Sequence, residues 1–424
     1  MPRKHWLADA VPGVPGLTSV PGLAGPAVRS RMPWQEARRT AGEAAVPLPA
    51  LPRPLADAAG HVLAGPLTAR TDLPAFDTSA MDGWAVSGPG PWRECADGIL
   101  AGQVPGPLAP GTARRIATGA QVPPGTSAVL RLEDGTVTGG ILEGAGPLAP
   151  GRDIRMRGQE CAAGATLLEA GTTITPAVLA LAAAAGHDGL LVHRRPVVDV
   201  LVTGDELAQS GVPRPGQVRD ALSPLLPPWL DACGARLRAV RMLADQASPL
   251  AEEIAGSPAD VIITTGSTSA GPTDHLHRVL DEAGARLLVD SVAVRPGQPM
   301  LLAGLPPLSS AADGSASQPR WLVGLPGNPL AAIAGLVTLA LPLLRRLGGH
   351  PWPPLRRLVA DAEMPGHPRD VKLVPATVRD GHAIPLPFGG PAMLRGIAIA
   401  DVLAVVPPGG APAGGHVMTL SLIN

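Results

Sequence analysis

Between residues 197 and 348 the chain alternates apolar runs with amphipathic stretches, and this alternation restricts its fold more than any other feature. VVDVLVTG, DVIITTG and WLVGLPG place apolar and β-branched residues at consecutive positions, as strands covered on both faces require. Between them, DALSPLLPPWLDACGARL, SPLAEEIAGSPA and TDHLHRVLDEAGA read as helices, with Pro227 and Pro228 interrupting the first. RLLVDSVAV reads as a further strand and PLAAIAGLVTLALPLLRRLGG as one long helix. Strands alternating with helices predict a parallel sheet with helices on both faces, and ligands of such sheets lie beyond the carboxyl ends of the strands.

The flanking sequence has a different texture. Residues 1–31 repeat Val, Pro, Gly and Ala without periodicity and are expected not to pack. A helix is expected at PWQEARRTAGEAA, then strand, turn, helix and strand through residue 65. From residue 71 to 150, short apolar runs broken by Gly and Pro (GWAVSG, ARRIATGA, SAVLRLE) predict a compact β domain. Residues 151–186 end in a helix, PAVLALAAAAG, stopped by a glycine. Residues 351–424 read as a small β domain of five short runs. The 52 glycines and 51 prolines fit a chain rich in turns.

Composition narrows the function classes. A net charge of −1 and 2% aromatic residues argue against nucleic-acid binding, which needs cations and stacking surfaces. The three cysteines, Cys95, Cys161 and Cys233, form no disulfide framework or zinc motif, so a reducing cytoplasm is expected. The apolar stretch 330–344 contains Gly335 and Pro342 and is too short to span a membrane, so it is expected to be a buried helix. No membrane association is expected.

Three loops fall at the predicted strand ends: TGDEL (203–207), TTGSTSAGPTD (264–274) and LPGNP (325–329). The second is rich in Gly, Ser and Thr and leads into a helix, the composition of a phosphate cradle, without the GK[ST] of a Walker loop. Asp205, Glu206 and Asp274 add carboxylates to the same edge. Each could equally cap a helix, but beside a phosphate they require an intervening cation, and Mg²⁺ suits one or two carboxylates with phosphate oxygens. In LPGNP the prolines fix the backbone and the glycine permits close approach; a rigid turn is the plainer alternative. PAFDTSAMDGWAV, with Asp82, and RIATGAQVPPG, with Thr118, are surface loops or site loops.

Taken in order, SAMDGWAV, RIATGAQVPPG, DIRMRGQE, VTGDEL, DVIITTGSTSAGPTD, VRPGQP and GLPGNP resemble the molybdopterin molybdenumtransferase family, over nearly all of residues 32–423. The resemblance implies a multidomain α/β plus β protein. It has a discontinuous linker domain (32–70 and 150–187), a β lid domain (71–149), a central three-layer parallel α/β domain (188–348) and a β-barrel-like C-terminal domain (351–424). It implies a homodimeric transferase that inserts molybdate into adenylylated molybdopterin, assisted by Mg²⁺, with release of AMP. Expected partners are the molybdopterin adenylyltransferase and molybdoenzyme apoproteins.

By motif, the resemblance assigns catalytic importance to Asp82, Thr118, Glu206, Asp245, Asp274 and Arg295. Glu206 and Asp274 would hold the metal. Thr203, Gly204, Asp205, Gly266, Ser267, Thr268, Ser269, Gly271, Pro326, Gly327, Asn328 and Pro329 would bind the ligand. Asp82 and Thr118 would reach the site from the lid of either subunit. The chain departs from the family where Ser267 replaces a glycine, Ser291 and Gln298 replace lysines, and Ala221 and Leu222 replace polar residues. Fewer cations mean weaker stabilisation of oxyanion charge, so the alternative to the enzyme is a molybdopterin-binding paralogue that does not turn over.

Overall fold

The computed structural model describes residues 31–268, 275–308, 319–352 and 354–422. At its centre is a six-stranded sheet in the order Arg236–Leu243, Val197–Thr203, Val261–Thr265, Arg320–Leu325, Leu301–Leu305 and Arg286–Asp290. The first four strands are parallel. Every residue of Val261–Thr265 and Arg320–Leu325 is buried, the polar Thr264, Thr265 and Arg320 included, as strands covered on both faces are.

The sheet is mixed, not wholly parallel as expected: Leu301–Leu305 runs antiparallel to Arg320–Leu325, and Arg286–Asp290 antiparallel to Leu301–Leu305. The expected single strand RLLVDSVAV breaks at Ser291, whose φ of +73° turns the chain. Arg286–Asp290 stays in the central sheet, whereas Val292–Arg295 leaves for another. The link from Asp290 to Leu301 is too short for the helical crossover that a parallel return needs.

The expected long helix runs from Pro329 to Leu347 but changes pitch: Pro329–Gly335 and Leu341–Leu347 are α-helical, with a π turn at Leu336–Ala340. Pro342 explains the turn. It offers no N–H and its ring crowds the carbonyl four residues back, so the ladder widens before it. All of residues 330–344 are buried. Among the described residues this is the one helix long and apolar enough to cross a membrane, and 89% of its most apolar window is buried in the protein. The helix Trp34–Glu43 packs against it, burying Trp34, Ala37 and Ala41. There the Trp34 indole N–H donates to Thr338 Oγ1 at 3.0 Å. This early helix thus packs into the central core.

Those residues pair across a large sequence gap: Ala50–Pro54 with Gly189–His193, and Leu67–Thr68 with Thr166–Leu168, all antiparallel. They enclose Leu63, Leu67, Ile174 and Val192 with the helix Pro176–Ala184, whose first turn is capped by Thr175. The helix expected near residue 57 is a single 3-10 turn, Leu55–Asp57. Residues 83–144 form a six-stranded sheet with Gly83–Val86 between Ala128–Arg131 and Thr112–Ile116.

Five C-terminal strands close on themselves. Val371–Arg379, His382–Pro385, Arg356–Ala360, His416–Ser421 and Val402–Val406 follow one another, and the last pairs back with the first. Val292–Arg295 bridges this barrel-like sheet to the centre, pairing with Met32–Pro33 on one side and Val371 and Lys372 on the other. Beside that seam the Asp370 carboxylate, 1% exposed, accepts from Arg31 at 2.8–2.9 Å and from Arg295 Nε at 3.0 Å. His367 Nδ1 lies 3.5 Å away.

Candidate functional site

The strands Val197–Thr203, Val261–Thr265 and Arg320–Leu325 are neighbours in parallel register, with Val202 opposite Thr265 and Thr265 opposite Leu325. Their carboxyl ends therefore deliver the loops beginning at residues 204, 266 and 326 to one edge. A string of hydrogen bonds ties these loops together. Thr203 Oγ1 donates to the Thr265 carbonyl at 2.9 Å and lies 3.4 Å from Ser267 Oγ. Ser267 Oγ donates to Asp245 Oδ1 at 2.8 Å, and the Asp245 backbone N–H donates to Asp205 Oδ1 at 3.2 Å. Asp245 arrives from the edge strand Arg236–Leu243, so all four parallel strands contribute.

Two backbone conformations make this edge possible. Gly266 has φ +88°, and a Cβ there would lie 2.8 Å from Thr203 Oγ1 and 3.0 Å from the Thr203 carbonyl. Only glycine fits that approach. Ser267 also sits in the left-handed region, at φ +49°, which turns its hydroxyl toward Asp245. The serine that stands in place of the family's glycine thus holds Asp245 through its hydroxyl.

The LPGNP loop lies against Gly266: a Cβ on Gly327 would stand 3.7 Å from the Gly266 Cα. Asn328 is the N-cap residue of the following helix but makes no side-chain capping bond, and Pro329 occupies the first turn. The helix-end donors are already used: Leu330 N–H and Ala331 N–H donate to the Pro391 carbonyl at 2.9 and 3.2 Å. A loop of the C-terminal unit therefore covers this helix end, a contact between distant segments that no local signal announces.

Asp205 and Glu206 do not cap a helix. The chain turns after Gly204 and enters a short parallel pairing of Leu207–Ala208 with Val218–Arg219. The cap of the helix Leu222–Ala232 is Asp220, whose Oδ1 accepts from Leu222 N–H at 2.9 Å and Ser223 N–H at 3.1 Å. The Glu206 carboxylate folds back over Gly204, whose Cβ, if present, would stand 3.0 Å from Oε2. Thr268 is buried, its methyl packed toward Gly324, which points it into the core beneath the loop. Ser269, Gly271 and Asp274 lie outside the described residues.

Asp82 and Thr118 meet in the unit built on the six-stranded sheet of residues 83–144. They flank the antiparallel strands Gly83–Val86 and Thr112–Ile116, where Gly83 faces Ile116. Thr118 N–H and Oγ1 donate to Asp82 Oδ1 at 2.7 and 3.0 Å. The Thr118 backbone N–H, then its hydroxyl, hold the exposed Asp82 carboxyl below the ordinary carboxylate range. No hydrogen bond among the described residues joins this pair to the strand-end loops. Arg295 stands apart from both groups, its Nε on Asp370 at the barrel seam.

The donor set at the sheet edge is all oxygen: Asp205, Glu206, Asp245 and the Thr203 and Ser267 hydroxyls. Such hard oxygen donors suit Mg²⁺ and not the soft metals. Among the described residues no three His, Cys, Asp or Glu side chains converge tightly enough to form a cation cage by themselves.

Comparison with known proteins agrees with this layout. Residues 32–186 match the family model of the MoeA N-terminal region (domain I and II), and residues 199–346 match that of a probable molybdopterin binding domain. The chain is 35% identical over 382 residues to molybdopterin molybdenumtransferase 2 of Mycobacterium tuberculosis, covering 84% of this chain and 90% of that protein. It is 33% identical over 303 residues to the molybdopterin molybdenumtransferase of a Nostoc species, covering 68% and 67%. The fold matches the crystal structure of a molybdopterin biosynthesis moeA protein from Pyrococcus horikosii at TM-score 0.74 and 23% identity, across 93% of this chain and 100% of that one. With a relative of that name 35% identical across 84% of this chain and both family models matched in order, the chain belongs to the molybdopterin molybdenumtransferase family, the transferases of molybdenum cofactor biosynthesis.

Proposed function

We propose that this chain inserts molybdate into adenylylated molybdopterin at the sheet edge formed by Thr203–Asp205, Asp245 and Gly266–Ser267, with release of AMP. The observation that carries the reading is the hydrogen-bonded string from Thr203 through Ser267 and Asp245 to Asp205, beside the left-handed Gly266. It places half-buried loop backbone for phosphate beside fixed carboxylates for a cation. Glu206 and Asp274 would hold Mg²⁺, which when bound neutralises phosphate charge. Gly204, Gly327 and Gly266 leave room for close backbone approach, while Pro326 and Pro329 stiffen the LPGNP turn. Asp82, ionised and held by Thr118, is presented from the lid. In a homodimer whose lid serves the partner's site, Asp82 would be delivered to the partner's strand-end loops. Three unpaired cysteines support a cytoplasmic setting. The adenylyltransferase that makes the substrate and the apoproteins that receive the product are the expected partners.

The test is AMP release from adenylylated molybdopterin, with molybdate and Mg²⁺ supplied. The native chain should release AMP with formation of cofactor, and Asp245→Asn should lower the rate at least tenfold. Absence of AMP release from the native chain overturns the reading in favour of a binding paralogue without turnover. Rescue of that inactive chain by Gln298→Lys with Ser291→Lys would assign the loss to the missing cations.

A further inference from the structure

A cavity of about 940 Å³ opens where the end of the helix Leu341–Leu347 meets the turn at residues 170–173. The helix from Pro329 to Leu347 has 19 residues, so the cavity lies about 28 Å from the LPGNP loop at 1.5 Å per residue. It is a separate place, at the opposite end of the central sheet.

Its lining is cationic and aromatic. Arg345 and Arg346 line it together with His350 and Trp352. Neither arginine forms an ion pair with a carboxylate among the described residues; each uses only its Nε on a backbone carbonyl, Arg345 on Pro351 and Arg346 on Ala45. The one carboxylate in the lining, Glu43, is paired with Arg39 at 3.4 Å. Burial, followed by the charges of Arg345, Arg195 and His61, pushes His350 down to about 4, which registers positive potential in the cavity wall. Burial also lowers Arg345. Trp352 closes one side; Arg38 stacks on its ring at 5.6 Å and Gly42 packs against it, and 46% of its surface stays exposed.

Arg345 is half-buried and Arg346 exposed, and neither guanidinium is matched by a carboxylate, so together they can take an anion, and an exposed indole lining the same cleft favours a planar ring. The volume suits a small organic ligand. We infer that the cleft between Arg345, Arg346 and Trp352 is a binding site for a nucleoside monophosphate, with the phosphate on the two arginines and the base on the indole.

The experiment uses the full chain, without molybdate or molybdopterin. Calorimetric titration with AMP and with inorganic phosphate, alongside photolabelling by 8-azido-AMP and peptide mapping, reads both affinity and place. AMP should bind at least tenfold tighter than inorganic phosphate, and label should fall within residues 341–352 or 170–173. Arg346→Gln and Arg345→Gln should each weaken AMP at least fivefold, with unchanged circular dichroism. Asp245→Asn, at the distant strand ends, should retain the labelling. No saturable binding, label confined to the strand-end loops, or labelling that survives both arginine substitutions overturns the proposal. Phosphate binding as tightly as AMP overturns the nucleotide assignment. Because the readout is binding remote from Asp245, it succeeds or fails independently of turnover.

Discussion

Replacing Gly266 by alanine tests whether the strand-end loop is held by close approach to Thr203. An alanine must keep φ near +88°, in the left-handed region, at a cost of about 1–2 kcal/mol. Its Cβ would also stand 2.8 Å from Thr203 Oγ1 and 3.0 Å from the Thr203 carbonyl. Neither atom yields easily. Thr203 closes its strand opposite Leu243, and its hydroxyl is committed to the Thr265 carbonyl at 2.9 Å. The loop must therefore move by a few tenths of an ångström, at a further strain of about 1–3 kcal/mol. A total near 3 kcal/mol lowers the melting midpoint of a unit this size by about 6–12 °C. Gly284→Ala is the control: its φ is +67°, yet a Cβ there meets nothing within 4 Å, so it carries the backbone cost alone. Calorimetric melting should place Gly266→Ala about 2 kcal/mol below Gly284→Ala. AMP release, assayed well below both midpoints, should fall at least tenfold for Gly266→Ala and stay near native for Gly284→Ala. Equal melting losses, or an active Gly266→Ala protein, would refute the claim that contact with Thr203 shapes the site.

Further outcomes follow from other contacts. Asp370→Asn removes the buried anion shared by Arg31 and Arg295 and should destabilise the barrel seam by about 3 kcal/mol, read as a lower melting midpoint; an unchanged midpoint would show that the cluster is not structural. Thr118→Val deletes one of the two donors to Asp82, so the Asp82 titration followed by carboxyl NMR should move up toward its ordinary value, and an unmoved titration would contradict the pairing. His350 titrates near 4 in the folded protein against 6.5 when free. Between those values the unfolded chain binds the extra proton, so His350 favours folding fully above about pH 6.5 and loses that contribution as pH falls toward 4. Discounted for solvent screening, the loss is on the order of 2 kcal/mol. Unfolding midpoints of native protein and His350→Phe, measured from pH 7 to pH 4, should diverge in that window; parallel curves would count against the assignment.

Sequence and tertiary structure contribute different kinds of information to this protein. Short-range pattern determined the central strands, the helix Pro329–Leu347, the terminal β unit and the three strand-end loops, because burial on both faces of a parallel strand leaves an unbroken apolar run that can be read directly. The loops TGDEL, TTGSTSAG and LPGNP were legible as a candidate site for the same reason: small residues and prolines at a strand end suit particular backbone conformations. Tertiary structure decided which residues complete the site. Ser267 binds Asp245 across a sequence gap of 22 residues, and Pro391 reaches the N-terminus of the helix that begins at Pro329. It also gave Arg295 to Asp370 and set Ser291 as the turn that makes the sheet edge antiparallel. Arg345, Arg346 and Trp352 are unremarkable in sequence, because the lack of a neighbouring carboxylate is a property of the folded surface. Such contacts are fixed by which distant segments the core brings together, and no local periodicity encodes them.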